Sequence, residues 1–150
     1  MSKMRFCAKE AWLLTLGITA DQITKLWALT RLKGGEISLL PFIRFRLSFN
    51  IGSAFGLRII ESRYIWIVLT LSFVFMLYLL TSKSRGLKFA RVLMVSGAVG
   101  NLIDRILYGK VIDFIEISSW PSFNLADGMI TTGLMLALFY LYKGEKDLDI

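Results

Sequence analysis

Ala11-Trp12-Leu13-Leu14-Thr15-Leu16-Gly17-Ile18-Thr19-Ala20-Asp21-Gln22-Ile23-Thr24-Lys25-Leu26-Trp27-Ala28-Leu29-Thr30 is an apolar run with an acid and a base set into its second half. Its length suits a helix that crosses a hydrocarbon layer of about 30 Å, which takes about 20 residues. A cleavable signal peptide is not expected here, because the run holds Asp21 and Lys25 and lacks a small-residue cleavage site. Three further apolar stretches follow at about 63–81, 88–108 and 125–142. The expected fold is therefore a mainly α membrane protein: four transmembrane helices in a single domain over residues 1–150.

Composition supports the bilayer as solvent. The chain of 150 residues is 55% hydrophobic with a mean hydropathy of +0.61, more apolar surface than one soluble core of this size can cover. Cys7 is the only cysteine, so no intramolecular disulfide forms and no cysteine-rich metal site exists. Histidine is absent, which excludes Ser-His-Asp and Cys-His catalysis and histidine-bearing zinc sites. No cofactor or metal is expected. The net charge of +7 fits anionic lipid head groups better than nucleic acid once the hydrophobicity is considered. An even number of spans puts both termini on one side. Lys and Arg are denser in the termini and the 82–91 connection than in the opposite loops, so the termini are expected inside.

Between the first two spans, Ile43-Arg44-Phe45-Arg46-Leu47-Ser48-Phe49-Asn50 alternates strictly, as a strand with one apolar face does. Pro41 precedes it, and Gly52 and Gly56 follow. A small extracytoplasmic β-sheet over about 36–56 is expected, with its apolar face on lipid or helix ends and Arg44 and Arg46 toward water or phosphates.

Ionisable residues inside a span cost about 2.5–3.5 kcal/mol each on insertion scales and are functional candidates for that reason. Asp21 and Lys25 stand at i and i+4 and can pair; an ion pair that only locks helix packing is the alternative reading. Gly97, Asn101, Asp104 and Arg105 fall on roughly one face of the third span, where Ser96 and Gly100 allow close helix approach. Packing accounts for the small residues and leaves Asn101, Asp104 and Arg105 unexplained. Asp113 follows the outer end of that span and Asp127 opens the next, so a short antiparallel connection can bring the two carboxylates together. A helix cap is the competing reading for Asp127. All these groups converge on one face of the membrane.

Two carboxylates a few ångströms apart in a low dielectric share a proton, which places an acid and a base in one site. Such a pair can activate water against an amide, each proton transfer contributing about 10²–10⁴ in rate. Asn50, Asn101, Asn124 and Arg105 are available to orient a substrate backbone. Rival readings are a serine paired with Lys25, a four-span transporter using an intramembrane acid for ion coupling, and a structural assembly factor.

Five blocks carry a resemblance: Asp21-Gln22-Ile23-Thr24-Lys25, Asn50-Ile51-Gly52-Ser53-Ala54-Phe55-Gly56, Gly100-Asn101-Leu102-Ile103-Asp104-Arg105, Val111-Ile112-Asp113-Phe114 and Phe123-Asn124-Leu125-Ala126-Asp127. In order and spacing they resemble the signature blocks of the bacterial lipoprotein signal peptidases (signal peptidase II). The resemblance implies an aspartic endopeptidase of the bacterial cytoplasmic membrane, acting as a monomer near the outer leaflet. It would remove the signal peptide from prolipoproteins just before a diacylglyceryl-modified cysteine, and a globomycin-type lipopeptide would inhibit it. By the same resemblance Asp113 and Asp127 are the catalytic dyad. Asp21, Lys25, Asn50, Gly52, Ala54, Asn101, Arg105, Asn124 and Ala126 match positions that shape the site or hold substrate, and Asp104 matches a structural one. The chain departs from the family pattern in having Ser96 where a glycine is usual, and in a short Asp113 to Asp127 connection, where Trp120 and Pro121 suit an interfacial anchor.

Overall fold

The computed structural model describes residues 8–50 and 85–143. The span expected over 63–81, the motif residues Gly52 and Ala54, residues 51–56 of the expected β segment, and Cys7 lie outside the described residues. Within them the chain runs α1 (Ala8–Arg31), β1 (Glu36–Leu40), β2 (Ile43–Asn50), α2 (Arg85–Tyr108), β3 (Val111–Ile117) and α3 (Leu125–Lys143). The three helices end within a turn of the limits expected from hydropathy.

Their burial is inverted relative to a water-soluble protein. The residues α1 buries are Asp21, Lys25 and Ala28, while Trp12, Leu16, Ile23 and Leu26 are exposed, Trp12 to 66%. Along α3 the buried residues are Ala126, Gly133 and Ala137, and Met135, Leu138 and Phe139 face outward. Apolar exteriors around a polar and small-residue interior are what a lipid solvent selects. Among the described residues α3 alone is long and apolar enough to cross a membrane by length and hydropathy. The other two helices carry the buried polar side chains.

α2 lies between α1 and α3, and small residues set the approach. A Cβ on Gly97 would run into the carbonyl oxygen of Ala126, and one on Gly133 would meet Met94 Cγ at 2.6 Å and the Ala90 carbonyl oxygen at 2.7 Å. Ser96 bonds back to the Val92 carbonyl at 2.8 Å and reaches the Leu14 carbonyl on α1 at 3.3 Å. A serine here thus adds a polar contact between helices where a glycine would add none. Leu87, Ala90, Met94 and Ala137 close the other end of the α2 and α3 seam.

Among the described residues the sheet has three antiparallel strands in the order β1-β2-β3: β1 and β2 lie in the expected segment, and the third comes from beyond α2, where the sequence reading expected no strand. Gly109 makes this possible: its φ of +69° is the left-handed conformation that ends a helix, and it turns the chain from α2 straight into β3. Arg44 and Arg46 are also not left to water alone. Glu116 on β3 takes Arg44 Nε at 2.7 Å and Arg46 NH2 at 2.7 Å. Burial raises the Glu116 carboxyl, but the two arginines outweigh it and hold it below its ordinary value. On the opposite face Phe45, Leu47 and Ile115 pack with Ala28, Leu32 and Phe114, and Trp27 meets the Phe45 and Phe114 rings edge-on at 5.6 and 6.1 Å. The apolar face predicted for β2 therefore sits on the end of α1.

Because the atom opposing Gly97 belongs to backbone, it cannot swing aside. Gly97→Ala is expected to cost about 1–3 kcal/mol through overpacking. A fall of several degrees in the thermal midpoint in detergent, with no comparable fall for Gly128→Ala at a position with open space, is the check.

Candidate active site

Asp113 stands on β3 opposite Ser48, and Asp127 stands in the first turn of α3. Asn124, fully buried, joins them. Its side-chain nitrogen donates to Asp113 Oδ1 at 2.8 Å and its side-chain oxygen accepts the Asp127 backbone N–H at 2.9 Å. The Asp127 carboxylate returns the favour by accepting the Asn124 backbone N–H at 3.3 Å. This reciprocal arrangement is a capping box, with Asn124 as N-cap and Asp127 three residues on. The cap reading of Asp127 is thus met by this geometry, which also leaves its carboxylate beside Asn101 and the Asn124 that holds Asp113.

Asn101 of α2 holds the other oxygen of Asp127, donating to Oδ1 at 2.9 Å. Its own oxygen accepts from Lys25 Nζ at 3.0 Å and from Asn124 at 3.2 Å. An ammonium only donates, so Lys25 fixes which end of the Asn101 amide faces Asp127. Asn50, at the end of β2, also hydrogen-bonds Asp113.

Behind this layer lies a buried ion network. Lys25 Nζ is 2.8 Å from Asp21 Oδ2 and 2.9 Å from Asp104 Oδ2, and Asn101 takes its third hydrogen. Gln22 donates to Asp104 Oδ1 at 3.1 Å and to the Gly100 carbonyl at 3.2 Å. Asp21 Oδ1 accepts the Ala126 N–H at 2.9 Å, and Asp104 Oδ2 accepts the Ile112 N–H at 3.0 Å. The α3 N-terminus, whose N–H groups have no acceptor within the helix and which is a positive dipole end, is a favourable place for the Asp21 carboxylate.

The sequence-derived candidates thus divide. Asp21, Lys25, Asn50, Asn101, Asp104, Asp113, Asn124, Ala126 and Asp127 meet in one connected cluster. Arg105 is exposed, and among the described residues it reaches only the Asn101 carbonyl, at 3.4 Å. Gln22 and the Ile112 N–H were not picked out from sequence. A polar residue beside Asp21 within an apolar span was the available signal for Gln22, whereas a backbone amide leaves none. Among the described residues no cluster of three or more Cys, Asp or Glu side chains is placed to hold a metal ion.

Asp113 is nearly sheathed, at 3% exposure. Burial first, then the Asp127 charge, push its carboxyl from 3.8 up to about 7, against the pull of Asn124, Asn50 and Lys25. The folded state therefore keeps a proton that an unfolded chain releases near 3.8, and stability on this account falls as pH rises from about 4 to 7. Asp113→Asn removes the titration. Its denaturation midpoint is expected to vary less over that range and to exceed the parent's at pH 8, as thermal unfolding in detergent at several pH values will show.

This geometry can be set beside known proteins. A family model described as Signal peptidase (SPase) II matches residues 13–143. The lipoprotein signal peptidase of Halothermothrix orenii is 38% identical over 136 residues, covering 86% of this chain and 92% of its own. That of Clostridium tetani is 36% identical over 146 residues, covering 91% and 94%. A solved bacterial membrane enzyme, obtained by the in meso method at 2.3 Å, superposes with a TM-score of 0.78 at 27% identity over 99% of this chain and 96% of that one. These relatives do not favour the transport reading. The family model matched over residues 13–143, with the two lipoprotein signal peptidases at 36–38% identity over most of the chain, places the protein in the signal peptidase II family of aspartic peptidases.

Proposed function

We propose that this chain is the peptidase that removes signal peptides from prolipoproteins, cutting just before a diacylglyceryl-modified cysteine with Asp113 and Asp127 as the catalytic pair. The observation that carries this reading is Asn124, which grips Asp113 through its side-chain nitrogen and Asp127 through its side-chain oxygen. Asp113, held at about 7, is the partner that keeps a proton near neutrality, which leaves Asp127 as the base. Water lying between them loses a proton to Asp127 as its oxygen attacks the scissile carbonyl. Asp113 protonates the carbonyl oxygen and takes that proton back as the tetrahedral intermediate collapses, while the proton gained by Asp127 passes to the departing amine. Asn50, Gly52, Ala54 and Arg105 hold or shape the bound peptide, while Asn101, Asn124 and Ala126 keep the pair in register.

The same reading gives the chain one domain with four spans, the second at 63–81, in the bacterial inner membrane. Both termini are cytoplasmic and the site opens toward the outer leaflet. Depth supports it: a diacylglyceryl group keeps the cleavage point near that leaflet, and the sheet and both aspartates lie at a single end of the helices. The protein acts as a monomer among lipids, and a globomycin-type lipopeptide occupies the groove beside the pair.

The purified protein in detergent or lipid is expected to cleave a diacylglyceryl-modified prolipoprotein just before the lipidated cysteine. Asp113→Asn and Asp127→Asn, folded to the same thermal midpoint range, are expected to lose at least about 10³ in rate. An inactive parent, or near-full activity in either variant, removes the aspartic mechanism.

A further inference from the structure

Each hydrogen of the Lys25 ammonium has its own acceptor: Asp21 at 2.8 Å, Asp104 at 2.9 Å and Asn101 at 3.0 Å. What these three acceptors do next is related. Asp21 takes the backbone N–H of Ala126, the residue before Asp127, and Asp104 takes the N–H of Ile112, the residue before Asp113. Asn101 donates to the Asp127 carboxylate itself. Lys25 is 1% exposed and none of its hydrogens remains for a substrate. We propose that Lys25 is a positioning residue for the dyad: through Asp21 and Asp104 it clamps the backbone beside each catalytic aspartate, and through Asn101 it aims a hydrogen-bond donor at Asp127.

This rests on the dyad assignment above and deepens it. A plain packing role for the ion network requires only that the charges cancel. It does not require both carboxylates to spend a lone pair on the N–H just ahead of a catalytic residue, one on β3 and one on α3. Displacing a reacting group by about 1 Å can cost about 10² in rate, so a clamp of this kind has catalytic consequences without touching substrate. Lys25 also bears on the chemistry by charge. Asp113 faces Asp127 from α3, Lys25 from α1, Asn50 from β2 and Asn124 ahead of α3, and Lys25 is the cation in that set, drawing the Asp113 titration down.

The experiment measures kcat and KM against pH on the full chain in detergent with a lipidated substrate, for the parent, Lys25→Met, Asp104→Asn and Asp104→Leu. Asparagine keeps an acceptor for the Ile112 N–H, whereas leucine does not. For Lys25→Met, kcat is expected to fall about 10²-fold with KM within about twofold, and the alkaline limb of the kcat profile moves to higher pH. Asp104→Asn stays within about tenfold of the parent, and Asp104→Leu falls about 10²-fold. Loss of folded protein alone scales the whole profile down without moving a limb. If Lys25→Met keeps both limbs in place, or the two Asp104 variants fall equally, the positioning role is wrong. Should Lys25→Met fail to fold, the Asp104 pair decides on the same criterion. Failure of the dyad assignment is read separately, in the parent and in the Asp113→Asn and Asp127→Asn variants.

Discussion

A lysine ammonium enclosed between two carboxylates, in a shell of side chains that face lipid, is the interaction on which the remainder of the structure depends. In water an ion pair of this kind is worth little, and in a dry interior desolvation can exceed its Coulombic gain. A bilayer changes the alternative rather than the pair. Asp21, Lys25 and Asp104 have nowhere else to be hydrated, so α1 and α2 must meet along the stripe that holds them. Removing one partner from such a set leaves a buried charge, a loss of about 3–5 kcal/mol. The helices are thus registered by charge, with Gly17 on α1 and Gly100 on α2 letting them close to that distance.

From this registration the geometry of the carboxylate pair follows by short links. Asp21 accepts the Ala126 N–H at the head of α3, which fixes that helix end against α1. Asp104 meets the first residues of β3, which fixes the strand against α2. The aspartates then face each other across Asn124, one carried by a strand and one by a helix, in unlike surroundings. Asp113 is enclosed and Asp127 is half-buried. Unlike surroundings are what allow two identical side chains to divide the roles of acid and base.

Much of this was legible in the residues. Hydropathy located α1, α2 and α3 because lipid-facing helices must be apolar over their length, and the i, i+4 spacing of Asp21 and Lys25 predicted their pairing. The Arg44-Phe45-Arg46-Leu47 alternation gave β2. The third strand was not legible. Val111-Ile112-Asp113-Phe114-Ile115-Glu116-Ile117 is covered on both faces, so it shows no alternation, and it directly follows a helix whose end is marked by a single glycine. With β3 unseen, Glu116 could not be recognised as the partner of Arg44 and Arg46. The backbone donors of Ile112 and Ala126 were illegible for a different reason, since every residue but proline has one and only the fold decides which are left to be claimed.

The pairing of β2 with β3 reaches across a long separation in sequence, Ser48 lying opposite Asp113, and the bond from Asp21 to the Ala126 N–H reaches farther still. Contacts so distant along the chain are the last that a polypeptide threaded into a membrane from its N-terminus can make. Any portion of the chain that stops before residue 124 has neither the bridging amide nor the second aspartate. With the proposed pair as its catalyst, peptide cutting therefore has no partial form in this molecule: it comes into being only with the closing helix, and a chain still being synthesised carries no blade.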